Sequence, residues 1–190
     1  FISTKYKNMN DLPDGAVIGT SSLRRKCQLK AWRADLNIND LRGNVGTRLK
    51  KLDGGEYDAI ILAAAGVIRL GLEDRISEMI STDIILPAIG QGAIGIQLRV
   101  DDHDVLEKIC SLNDEITQQQ VETERIVSRR LSGGCQFPLA AHAEINGECI
   151  TVRGMVGRVD GSEIIQNSVS GNLDQRDALG LQLAENLLEK

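Results

Sequence analysis

The chain has 190 residues, 42% of them hydrophobic and 26% charged, with a net charge of −5, which is the profile of a water-soluble folded protein with one large or two small cores. The negative balance argues against a general polyanion binder, and only 3% aromatic residues argues against base-stacking surfaces for single-stranded nucleic acid. No run approaches the ~18 apolar residues of a membrane span and no charged-then-apolar leader is visible, so a cytoplasmic protein with neither nucleic-acid nor membrane partners is expected.

Cys27, Cys110, Cys135 and Cys149 form no C-x-x-C pair, and the chain is not loop-rich, which speaks against a disulfide framework. Six residues separate Cys135 from His142 and six separate His142 from Cys149, a spacing that matches no familiar zinc finger or ribbon, so no metal is expected. The sequence starts at Phe1 and stops at Lys190 within a helical pattern, and it reads as a piece of a longer chain.

In chain order, Asp11-Leu12-Pro13-Asp14-Gly15 is a turn signal and Ala16 to Gly19 a short buried strand. Thr20, Ser21 and Ser22 are each able to cap the helix that the spacing predicts from Leu23 to Trp32. Arg24 and Arg25 fall in its first turn, where cations oppose the helix dipole, which hints at an anion held between guanidinium groups and free N–H groups. The unit then recurs in kind. A strand from Leu36 to Leu41 leads through Arg42-Gly43-Asn44, with Asn44 as cap, to a helix from Val45 to Leu52 that carries Arg48. A third strand from Tyr57 to Leu62 leads to a short helix carrying Arg69. Such β-α alternation predicts a parallel sheet with ligands at the carboxyl ends of its strands. Arg24, Arg25, Arg42, Arg48 and Arg69 would then share one rim, suited to a ligand with several carboxylate or phosphate groups.

Gly90-Gln91-Gly92-Ala93-Ile94-Gly95 fits the dinucleotide pattern G-x-G-x-x-G, but Ala93 to Val100 alternates like a strand where that motif needs a helix, so a dinucleotide site is rejected. No G-K-[ST] supports a P-loop. Helices follow over Asp101 to Leu112 and Glu115 to Leu131. Strands over Leu139 to Ile145, Glu148 to Gly157 and Glu163 to Ser170 are separated by the hairpin signals Asn146-Gly147 and Asp160-Gly161. Asp174 is read as the cap of a last helix whose Leu179, Leu183 and Leu187 form an apolar stripe. Between the long helix and the meander stands Leu131-Ser132-Gly133-Gly134-Cys135-Gln136-Phe137-Pro138, which reads as a tight loop presenting a reachable thiol.

Four blocks resemble the porphobilinogen deaminase (hydroxymethylbilane synthase) family of tetrapyrrole and heme biosynthesis: Gly19-Thr20-Ser21-Ser22-Leu23-Arg24-Arg25, Leu41 to Arg48, Leu86-Pro87-Ala88-Ile89-Gly90-Gln91-Gly92-Ala93, and Gly133-Gly134-Cys135-Gln136-Phe137-Pro138. The resemblance spans essentially the whole chain. It implies a transferase that condenses four porphobilinogen molecules stepwise into hydroxymethylbilane, with release of ammonia, on a dipyrromethane attached to Cys135 through a thioether. It also implies that Arg24, Arg25, Arg42, Arg48 and Arg69, with Thr20, Ser21, Ser22, Gly43 and Gln91, hold the acetate and propionate groups of cofactor and substrate. Each step would pass through an electrophilic methylene-pyrrolenine, with an aspartate compensating charge on the pyrrole nitrogens.

That aspartate belongs to a His-Ser-x-Lys-Asp-type motif of the family's N-terminal domain, and no such motif occurs in these residues. The chain alone is therefore expected to be inactive and monomeric. The fold expected is α/β: residues 1–86 form the family's second, arginine-bearing β-α domain of the periplasmic-binding-protein-like type. Residues 87–112 form a crossover that would pack on the first domain, and residues 113–190 a small α+β domain with a three-stranded antiparallel sheet. Hinge movement is expected near Leu86 to Gly92 and Leu112 to Asp114. Two other readings stay open on the residues alone: an anion-binding receptor domain of the periplasmic-binding-protein type, and a transferase with Cys135 as nucleophile, for which no base beyond His142 is evident.

Overall fold

Two short sheets, each with its own helices, make up the protein. The computed structural model describes residues 1–131 and 138–189. The first sheet is parallel, with β1 (Val17–Gly19) between β2 (Asn37–Asn39) and β3 (Ala59–Ile60). Helices α1 (Leu23–Trp32), α2 (Val45–Asp53) and α3 (Ala64–Arg69) follow the three strands in turn. Because all strands run the same way, their carboxyl ends and the helix starts lie on one edge. The strands are shorter than the apolar runs that signalled them, Leu36 to Leu41 and Tyr57 to Leu62. The flanking residues serve in buried loops instead, with Leu36, Leu41 and Tyr57 all in the core. Gly19 ends β1 where a Cβ would come within 2.9 Å of Ile60 and Tyr57 side-chain atoms, so only glycine lets the sheet close there.

The second sheet is an antiparallel meander of β4 (Leu139–Asn146), β5 (Cys149–Gly157) and β6 (Ile164–Asn172). One face is covered by α5 (Glu115–Arg130) and α6 (Arg176–Leu188). The stripe Leu179, Leu183 and Leu187 packs with Val127, Ala141, Ile150 and Val152 into one apolar cluster. Burial of each such side chain is worth about 1.5–3 kcal/mol, which is what commits this short sheet to its helices.

Three expectations need correction. Ala93 to Val100 forms no strand: Ile94, Ile96 and Val100 are exposed, and among the described residues no sheet edge lies beside this stretch to complete its backbone hydrogen bonds. Asp174 does not cap the last helix. It sits inside a 3-10 turn, Leu173–Gln175, that runs straight into α6, whose capping residue Gln175 makes no side-chain bond to the helix. The helix expected over Asp101 to Leu112 is α4 (His103–Ile109), capped by Asp102 and finished by a 3-10 turn over Cys110–Leu112.

The two sheets meet across α1. Cys27, Leu86, Ala140 and Met155 share a small buried cluster, and Arg153 of β5 reaches Asp83, Thr82 and Glu144. The turn between β5 and β6 rests on the same helix. Gly161 has φ +74°, and a Cβ there would stand 2.7 Å from the Ala31 nitrogen and 2.8 Å from the Cys27 carbonyl oxygen. Both the backbone angle and the backbone contact exclude a side chain. Gly161→Ala should therefore lower stability by about 2–4 kcal/mol, measured as a fall in the urea midpoint with an unchanged slope; an unchanged midpoint would show that the hairpin does not lean on α1.

Candidate anion-binding site

Helix α1 begins with three hydroxyl residues whose groups are already committed to building the turn. Ser22 caps the helix by accepting from the Arg25 N–H at 3.4 Å, and the Thr20 hydroxyl accepts from the Ser22 N–H at 3.3 Å. The Ser21 hydroxyl donates to the Leu41 carbonyl at 3.0 Å and so ties this turn to the one after β2. Thr20 is buried, and the hydroxyls serve the scaffold that aims the arginines.

Arg24 and Arg25 line a cavity of about 160 Å³ whose walls are otherwise largely apolar, from Ile61, Leu62, Val67 and Ile85, with Gln91 and Pro87 on the crossover side. Arg25 donates to the Ile61 carbonyl at 3.0 Å, and Arg24 donates to the Leu86 carbonyl. Burial lowers the pKa of Arg24 to about 10, helped by the charge of Arg25, and burial followed by the charge of Arg48 lowers that of Arg25. Among the described residues no carboxylate forms an ion pair with Arg24, Arg25 or Arg48. Cations drawn together and partly dried, bonded to neutral carbonyls and to no carboxylate among the described residues, are the electrostatic form of an anion site.

Arg48 is held by its own loop. Gly43, at φ +117°, would bring a Cβ within 2.8 Å of Thr47, and its carbonyl accepts from Arg48 Nε at 2.8 Å. Asn44 caps α2 as expected, accepting from the Thr47 N–H at 2.8 Å. Arg42, in the turn before α2, and Arg69, at the far end of α3, lie exposed outside the cavity, and Arg42 pairs with Asp40 at 3.4 Å. The structure therefore brings Arg24, Arg25 and Gln91 to one cavity with Arg48 in electrostatic reach, and it leaves Arg42, Gly43 and Arg69 outside that cavity. Cys135 and its loop lie outside the described residues.

Sequence reading missed the far wall. Residues 76–85 have no regular structure, yet Ile76, Glu78, Ile80 and Ile85 close the cavity. Glu78 is fixed by accepting from the Met9 N–H at 2.7 Å, a contact between irregular segments that no periodicity announces. The chemistry this arrangement offers is recognition of a small, partly apolar molecule bearing carboxylates. Succinate at about ten times its dissociation constant should stabilise the protein by about 1.4 kcal/mol, and Arg25→Gln should abolish most of that gain; equal thermal shifts in both proteins would remove Arg25 from the site.

Comparison with protein families agrees with the geometry. Residues 1–107 match the family model described as porphobilinogen deaminase, dipyrromethane cofactor binding domain. Residues 118–189 match that of the porphobilinogen deaminase C-terminal domain. With a parallel sheet carrying the arginine cavity in the first match and the helix-backed meander in the second, the chain belongs to the porphobilinogen deaminase family.

Proposed function

We propose that this chain supplies the cofactor-holding and carboxylate-binding part of a hydroxymethylbilane synthase, which condenses four porphobilinogen molecules with loss of ammonia. The observation that carries the reading is the partly buried pair Arg24 and Arg25 beside an apolar cavity, with Arg48 in electrostatic reach and, among the described residues, no carboxylate paired with any of the three. Pyrroles bearing acetate and propionate fit that donor set: flat apolar rings against Ile61, Leu62 and Val67, carboxylates against guanidinium groups. When bound, the dipyrromethane supplies the nucleophilic pyrrole end on which the product is built. Arg24, Arg25, Arg48 and Gln91 orient the carboxylates, while Arg42, Arg69 and the Gly43 turn receive those further along the rim. Thr20, Ser21 and Ser22 act by shaping the turn.

Cys135 is the attachment point in this reading. In sequence it lies between Leu131, which follows α5, and Pro138, which precedes β4 and whose carbonyl accepts from Gly157 N–H at 3.1 Å. A Cβ on Gly157 would lie 2.7 Å from the Cys27 sulfur, so this end of the loop stands against α1, the helix that carries Arg24. Cys27 itself is a poor attachment point, because burial followed by the charge of Asp160 pushes its thiol up to about 11.

The domains of this reading are residues 1–86 and 113–190, joined by a crossover of residues 87–112 whose exposed Ile94, Ile96 and Val100 face the family's N-terminal domain. The aspartate that compensates pyrrole charge is, as the family resemblance implies, that of the His-Ser-x-Lys-Asp-type motif in that other domain. The protein acts as a cytoplasmic monomer, and these 190 residues alone form no hydroxymethylbilane.

Intact mass spectrometry tests the central point. Protein co-produced with porphobilinogen and the full-length enzyme should gain the mass of two porphobilinogen units less their ammonia, and Cys135→Ser should not. A gain retained in the variant would remove Cys135 as the attachment point. Hydroxymethylbilane formation by the isolated chain would overturn its assignment as a part-site.

A further inference from the structure

Two buried polar side chains grip the crossover where it leaves the parallel sheet. Gln28 of α1 accepts from the Leu86 N–H at 2.7 Å and donates to the Leu86 carbonyl at 3.2 Å, as a neighbouring strand would. Its amide also donates to the Arg24 carbonyl at 3.3 Å. Four residues on, Ala88 to Gly90 turn tightly: the Gln91 N–H donates to the Ala88 carbonyl at 2.9 Å, and Gly90 has φ +67°, the signature of a type II turn. In such a turn the N–H of the third residue points outward with no partner in the turn itself. The buried carboxylate of Glu124 on α5 receives it, accepting from Gly90 N–H at 2.6 Å with one oxygen and from Ala143 N–H of β4 at 3.0 Å with the other. The second oxygen also lies 3.4 Å from His142 Nδ1.

Leu86 is thus tied to the first unit and Gly90 to the second, with Pro87 and Gln91 of the cavity wall between and beside the two ties. We infer that Gln28 and Glu124 are positioning residues that hold the crossover as a strut, setting Gln91 against Arg25 and fixing the two sheets relative to each other. Neither side chain lines the cavity, so their effect on a ligand passes through residues 86–91. The link to a ligand rests on the proposed reading of the cavity; the strut itself does not.

Site-resolved amide hydrogen exchange on the whole chain separates the two. Glu124→Ala should speed exchange at Gly90, and Gln28→Met at Leu86, by about tenfold or more, while Ile18 in β1 and Met155 in β5 keep their protection. Glu124→Gln, which retains one acceptor oxygen, should restore part of the Gly90 protection. Unchanged exchange at Gly90 and Leu86, or equal acceleration at Ile18 and Met155, would overturn the strut. Should Glu124→Ala fail to fold, Gln28→Met decides the matter at Leu86. Porphobilinogen titrated into the same proteins should bind both variants about tenfold more weakly than the parent. Undiminished affinity with faster exchange would overturn the positioning role. No binding to the parent chain would count against the cavity reading, leaving the strut to be judged by exchange.

Discussion

Like charges gathered in a half-dry place set the terms for the rest of this structure. Arg24 and Arg25 lie side by side on the first turn of a helix whose dipole already favours anions, with Arg48 close enough to act on Arg25. Each of these features raises the free energy of the apoprotein. Backbone carbonyls of Ile61, Leu86 and Gly43 offset part of the cost by accepting from the guanidinium groups, and they also fix where those groups point. On the proposed reading, a ligand with several carboxylates would relieve the remaining imbalance, in the kind of preorganised field in which charged intermediates are best stabilised.

The parallel sheet explains why the charges meet. Its order, β2-β1-β3, puts three strand ends on one edge, so Arg25 and Arg48, in the helices that follow β1 and β2, come within electrostatic reach despite their separation in sequence. The alternation of strand and helix signals made this legible, and so did the caps Ser22 and Asn44, because a side chain that accepts from its own helix is a local event. The meander was legible for a related reason: Gly147 and Gly161, both at positive φ, mark its turns where the sequence has Asn-Gly and Asp-Gly.

What the sequence could not reveal depends on distant partners. Ala93 to Val100 has the alternation of a strand, yet alternation becomes a strand only beside an edge with matching N–H and carbonyl groups. Asp174 has the chemistry of a cap, but the 3-10 turn around it feeds α6 directly and leaves its carboxylate no orphan N–H to serve. The wall made by Ile76, Glu78 and Ile85 is irregular backbone folded over the sheet edge, and Gln28 and Glu124 read simply as polar residues on amphipathic helices. Their roles come from facing backbone groups across 58 and 34 residues of sequence, which no local pattern records.

Helix α1 joins these observations. Its first turn carries the arginines, its next turn carries Gln28 against Leu86, and Cys27 beside it touches the end of β5. A shift of the second unit against the first would therefore be felt at Gly157 and, through Gly90, at Leu86, both of which contact the helix that carries Arg24. Rigid elements sharing one contact surface move between discrete arrangements more readily than they deform. On the proposed reading, carboxylate binding at Arg24 and Arg25 would be coupled to the mutual setting of the two sheets through the Leu86 carbonyl, which receives donors from both Arg24 and Gln28. A ligand that drew Arg24 away from that carbonyl would leave Gln28 as its remaining side-chain donor, making the grip on the crossover respond to what the cavity holds.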